Sequence, residues 1–144
     1  MKDYSWVHKY LGLPWKAGGR SDGEFDCWGL LREVYKTQLG VELPIINGFD
    51  ARCVSGCVSG IEHGMSDWAQ LDLPIDFCGV GLSMSKKFIH HVGVFLDVDG
   101  GQILHCHEKA GVIIESPSEM RMKSWRTINY YGHFSQDRKS VQAV

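Results

Sequence analysis

The chain lacks any apolar run near the length that a membrane-crossing helix needs, so no transmembrane span is expected. It also lacks a block of like charge. Fifteen basic and seventeen acidic side chains leave a net charge of -2, and nothing marks an electrostatic nucleic-acid binder. Residues 1 to 20 hold no basic segment followed by an apolar one, so no secretory signal is expected. Synthesis and folding are then expected in a cytoplasm. A disulfide framework is missing too, because five cysteines is an odd number and reduced thiols are expected. No internal repeat or low-complexity segment is visible.

What is present suits one globular domain with a single core: 144 residues, 44% of them hydrophobic. Residues 4–15, "YSWVHKYLGLPW", place Trp6, Val7, Tyr10 and Leu11 at helical spacing before Pro14 stops the pattern. A glycine-rich loop, "KAGGRSDGE", follows. Asp26 then reads as an N-cap, and Trp28, Leu31, Val34, Tyr35 and Leu39 trace one face of a helix that Gly40 ends. Residues 44–66 read as irregular structure with room for a short helix. A strand is expected around Phe77 to Met84. The alternating "FIHHVGVFL" at 88–96, the turn "DVDGG" and "QILHC" at 102–106 form a hairpin. "GVIIE" at 111–115 and "WRTINYYGHF" at 125–134 add two more strands. The class is α+β, one domain over residues 1–134 with a polar tail at 135–144.

Cys27 falls at the first helical position, where unused backbone N–H groups and the helix dipole favour a thiolate. The competing reading is a small buried core residue, as reduced cysteines often are. Four of the seven histidines lie within residues 90–107. A turn centred near Val98 pairs residues whose numbers sum to 196, which sets His91 directly across from His105. Cβ atoms so opposed lie roughly 4.5–5.5 Å apart, close enough for one imidazole to take a thiol proton while the other orients it. A slip of one residue would put Cys106 there instead. His90 faces the other way, and His107 shares the parity of His105 near the strand end. Cys53, Cys57, Cys78, His105, Cys106 and His107 include zinc ligand types, but Cys53 and Cys57 have three residues between them and no second close pair exists. No metal and no cofactor is expected. Gly18-Gly19 is not a phosphate loop, since no Gly-Lys-Ser/Thr follows.

"LPWKAGGRSDGEFDCWGLLREVY" resembles the opening motif of the NlpC/P60 cysteine peptidases, and "HHVGVFLDVDGGQILHC" resembles their His-Val-Gly strand with the polar residue that follows it. "GLPW", the Asp-Cys-Trp-Gly variant and the ending "SWRTINYYGHF" resemble members found in phage tail tips. The resemblance implies a papain-like fold, with the cysteine at a helix start packed on an antiparallel sheet. It implies hydrolysis of peptidoglycan stem peptides, usually beside a D-amino acid, without a cofactor. Carried over by motif, Cys27 is the nucleophile, His91 the general base and His105 its orienting residue. Asp26, Trp28 and Trp15 would border the substrate or oxyanion. Trp15 stands where many members have a tyrosine, so an indole N–H would replace a hydroxyl. The partners implied are stem peptides and other tail-tip proteins, with location in the virion tail and action at the cell wall. A non-catalytic tail-assembly protein on the same fold and an amidase effector are the alternatives.

Overall fold

The computed structural model describes residues 2–21, 23–45, 67–84 and 89–136. The stretch with Cys53 and Cys57, and the last eight residues of the polar tail, lie outside them. The chain begins with a 3-10 turn, Ser5–Lys9, rather than an α-helix. The apolar spacing there is real, but no side chain caps the segment and the chain turns again at Gly12, where φ is +87°. A two-stranded ribbon, β1 (Arg20–Ser21) and β2 (Glu24–Phe25), leads into helix α1, Cys27–Val34. A π-helical turn, Tyr35–Leu39, continues the helix, and Gly40 ends it in the left-handed conformation at φ +67°.

The later described residues are built on one antiparallel sheet. Its strands are β3 (Trp68–Leu71), β4 (Gly79–Ser83), β5 (His91–Leu96), β6 (Gln102–His107), β7 (Gly111–Glu115) and β8 (Thr127–His133). They lie in the order β3-β8-β4-β5-β6-β7. Between β7 and β8 sits a short helix α2, Pro117–Met122, whose Ser116–Glu119 capping box and leading proline fix its start. β3 was not foreseen as a strand. It is a half-exposed edge strand paired to β8, without the alternation that marks a strand with one buried face.

Each face of the sheet covers its own core. On one face Leu30, Leu31, Val34 and Tyr35 of the helix segment pack with Val92, Val94 and Leu96 of β5 and Leu104 and Cys106 of β6. Burial of each such aliphatic side chain contributes about 1.5–3 kcal/mol over leaving it exposed. On the other face Val80, Leu82, Phe95, Ile103, Met120 and Trp125 form a second cluster beneath α2. The N-terminal segment completes the sheet: Gly12 N–H donates to Val112 O at 2.9 Å, and Val112 N–H to Leu13 O at 2.9 Å. Gln136, assigned from sequence to the polar tail, is buried. Its side chain accepts from Tyr35 Oη at 3.2 Å and donates to Asp76 O at 3.0 Å, so the packed domain runs past residue 134.

Candidate active site

The start of α1 is built around two close approaches. Asp26, in an extended conformation, caps the helix by accepting from Gly29 N–H at 2.7 Å, and its other oxygen accepts from Gly18 N–H at 3.1 Å. The carboxylate, 3% exposed, is thus committed to backbone donors. Asp26 N–H donates in turn to Gly19 O at 3.0 Å. Gly29 lies so near that a Cβ there would sit 2.0 Å from Gly19 O. Gly29 therefore lets a loop carbonyl rest on the first turn of the helix, while a Cβ on Gly19 would meet Glu24 O at 2.8 Å and Lys16 O at 2.9 Å. Cys27, at the first helical position, is buried and not in a disulfide.

The side chain of Trp28 is buried, and its indole N–H donates to Pro44 O at 3.0 Å, tying the helix to the irregular segment that follows. The side chains of Asp26 and Trp28 thus brace the helix start from within. Trp15 is half-buried against the helix-side core and bridges Phe25 through its backbone, just before the helix start.

His91 opens β5 and His105 lies in β6. Their strands pair as Gly93↔His105, Val94↔Leu104 and Phe95↔Ile103, a sum of 198 and not 196. The turn centres on Asp99, with Asp99, Gly100 and Gly101 all at positive φ. His105 thus sits across from Gly93 and diagonal to His91. A shift of two keeps both side chains on one face, and the rings meet: His91 Nε2 is 2.9 Å from His105 Nδ1. Gly93 clears the space, since a Cβ there would lie 2.9 Å from Leu104 O and 3.1 Å from the His105 Cβ.

The chain of contacts continues beyond the sequence expectation. His105 Nε2 is 3.1 Å from Glu115 Oε1, and Lys123 Nζ is 2.7 Å from Glu115 Oε2. Glu115 ends β7, where Ile103↔Glu115 and His105↔Ile113 pair, so it is diagonal to His105 on the same face. The signal in the sequence was an acid closing an otherwise apolar strand. Trp125 covers the pair, stacking on His91 with centroids 5.2 Å apart and planes 20° apart, and meeting His105 edge-on at 6.4 Å. His90 stacks on the same indole at 5.7 Å and accepts from Met84 N–H at 3.0 Å. His107 accepts from Lys109 and Ala110 N–H groups and shapes the β6–β7 turn.

Burial holds both central histidines neutral. It pushes His105 down to about 4 against the opposing pull of Glu115, and it pushes His91 well below its ordinary value, with His105, His107 and His90 adding to the effect. The other buried thiols are inert by the same cause: burial raises Cys78 to about 11 and Cys106 to about 12. Cys106 donates to Phe25 O at 3.1 Å. That bond pins the segment two residues before Cys27 to the neighbour of His105, bringing the helix start to the histidine end of the hairpin. Val92, Val94 and Leu104 face the helix, while His91, Phe95 and His105 take the opposite alternation. Among the described residues no group of three or more His, Cys, Asp or Glu is placed to hold a metal.

A family model described as "NlpC/P60 family" matches residues 12–63, the stretch that contains Gly18, Gly19, Asp26, Cys27 and Gly29. Over 107 residues the chain is 32% identical to the gamma-D-glutamyl-L-lysine dipeptidyl-peptidase of Bacillus subtilis (strain 168). The chain belongs to the NlpC/P60 family. That match takes in 74% of this chain and 31% of the Bacillus protein, so the chain spans about a third of its relative's length. The crystal structure of the NlpC/p60 domain of the peptidoglycan hydrolase SagA superposes with a TM-score of 0.56 at 20% identity, covering 86% of this chain and 91% of that one. A Staphylococcus aureus subsp. aureus Mu50 protein described as similar to lipoprotein, NLP/P60 family, gives a TM-score of 0.51 at 19% identity over 85% of this chain and 38% of that one. The NlpC/P60 fold, a cysteine-bearing helix start on an antiparallel sheet, is therefore the fold of this chain.

Proposed function

We propose that this NlpC/P60 domain is a cysteine peptidase that hydrolyses amide bonds in peptidoglycan stem peptides, with Cys27 as nucleophile, His91 as general base and His105 as its orienting partner. The observation that carries this reading is the pair of ring nitrogens 2.9 Å apart at the hairpin end to which Cys106 pins the segment before Cys27. The helix start favours the thiolate. His91 Nε2 is taken by His105, so Nδ1 is the nitrogen that meets the thiol. The Cys27 proton passes to His91 Nδ1, and the sulfur attacks the amide carbonyl. The oxyanion accepts a hydrogen bond from Cys27 N–H, at the first position of the helix. The imidazolium then returns the proton to the leaving amine, and water, deprotonated by His91, releases the acyl group. Trp15, half-buried beside the helix start, borders the substrate.

The stem-peptide substrate is inferred from relatives whose names place them on peptidoglycan or on a D-glutamyl bond. A site in a phage tail tip, reached from the host cytoplasm through virion assembly and acting at the cell wall, is supported by the "GLPW", "DCWG" and "SWRTINYYGHF" stretches.

The test is a muropeptide digest under reducing conditions, read by mass spectrometry, with wild type and Cys27→Ala side by side. New stem-peptide fragments from the wild type alone are expected, and they name the bond. His91→Ala should lose nearly all activity, while His105→Ala should keep a trace, because an orienting residue does less than a base. Full activity in folded Cys27→Ala would sink the mechanism.

A further inference from the structure

We infer that Glu115 is a positioning residue that fixes the tautomers of both histidines, so that the lone pair of His91 sits on Nδ1, the nitrogen that takes the thiol proton in the proposed reaction. The inference rests on the proposed role of His91, but the protonation pattern can be read without any activity.

The His91–His105 contact alone has no direction. One proton lies between His91 Nε2 and His105 Nδ1, and either ring could own it. If His105 owned it, the single proton of a neutral His91 would have to sit on Nδ1, and the base would carry an N–H where the proposed reaction needs a lone pair. Glu115 removes the ambiguity. A carboxylate only accepts, so its Oε1, 3.1 Å from His105 Nε2, requires the proton there. A neutral imidazole carries one N–H, and burial keeps His105 neutral, so His105 Nδ1 is bare and must accept from His91 Nε2–H. His91, also held neutral by burial, is then bare at Nδ1. One carboxylate on the edge strand β7, two strands from His91, thus polarises the whole series in a single sense.

Its own position is secured from the far side. Lys123 Nζ, 2.7 Å from Oε2, balances the charge at the end of α2. Among the described residues, these charged and aromatic groups lie around the two imidazoles. His107 and His90 lie near His91; His107, Lys123 and Glu115 lie near His105; and Trp125 covers both rings. Glu115 is the acid among these described groups. When His91 becomes imidazolium during the reaction, that charge stabilises it through His105.

The experiment uses His-selective 15N labelling of the full chain, with tautomers read from long-range 1H–15N correlations near neutral pH, in wild type, E115Q and E115L. Wild type should show Nε2–H tautomers for both His91 and His105. In E115L, with no acceptor at His105 Nε2, both histidines should become mixed or shift to Nδ1–H. E115Q keeps an acceptor oxygen and should restore the wild-type pattern, while losing the charge. In turnover, E115L should lose about 10- to 100-fold in kcat with KM little changed, less than the roughly 10⁴-fold cost of a wrong tautomer set by a group touching the base directly. E115Q should move the acidic limb of the kcat/KM profile, where the neutral His91 base is lost by protonation, to lower pH by up to about one unit. Wild-type His91 protonated on Nδ1, or unchanged tautomers in folded E115L, would overturn the inference. If E115L does not fold, an unmoved His91 titration in E115Q overturns it. A wild type with no hydrolase activity but both Nε2–H tautomers would sink the proposed reaction and leave this assignment standing.

Discussion

Gly29 carries no functional group, yet few side chains in the protein are less replaceable. A methyl group there would press on Gly19 O at 2.0 Å and Gly19 C at 3.0 Å, both backbone atoms that cannot swing aside. Gly29→Ala is expected to cost about 1–3 kcal/mol or more in chemical denaturation, because the loop must leave the helix start. Asp26→Ala, which removes the cap and orphans the Gly18 and Gly29 N–H groups, should cost about 0.5–2 kcal/mol; Asp26→Asn should recover part of it. Cys27→Ala should leave the denaturation midpoint nearly unchanged, since it removes one sulfur from the edge of the core. Substitutions at these three positions, made within four residues, separate the scaffold from the proposed chemistry. That Asp26 would cap the helix was legible in the sequence, because capping is a local rule. That Trp28 would spend its N–H on Pro44 was not, since the partner lies sixteen residues on across an irregular connection.

The β5–β6 hairpin shows where such reading succeeds and where it fails at the level of an element. Alternation assigned His91 and His105 to one face, and that needs only the period of a strand. The register was off by two, because the turn spreads over Asp99, Gly100 and Gly101 and so centres one residue later. The outcome for the ring nitrogens survived because two is the side-chain period. Glu115 was out of reach, since finding it required the β6–β7 register as well as the β5–β6 one. The hairpin also fixes a pH dependence. The native value of His105 is lowered by burial from 6.5 to about 4, so the unfolded chain binds the proton more readily across that interval. Stability should therefore be intact above about pH 6.5 and fall as the pH drops toward 4, at roughly 1.4 kcal/mol per pH unit from His105 alone. His91 is shifted in the same direction and should steepen the fall. Thermal melts between pH 4 and 8 check this, and a flat profile would contradict the buried neutral pair. In His105→Gln the slope should lessen.

At the scale of the whole molecule, one sheet joins two cores, so neither can open alone without unpacking a strand that also serves the other. Tryptophan fluorescence and far-UV circular dichroism should report coincident denaturation midpoints over the domain, and separated midpoints would show two independent units. Trp125→Ala, which empties the cluster beneath α2 and uncovers the imidazoles, should lower stability by about 3–5 kcal/mol in the same single transition. The backbone bonds from residues 12 and 13 to Val112 carry a different lesson. They occupy the outer rim of β7, which would otherwise be an open row of donors and acceptors. A chain shortened to begin after Pro14 would keep the cysteine and both histidines but bare that rim. Two such chains could then zip together along it, and the loss would appear as concentration-dependent association in sedimentation rather than as a failure of catalysis.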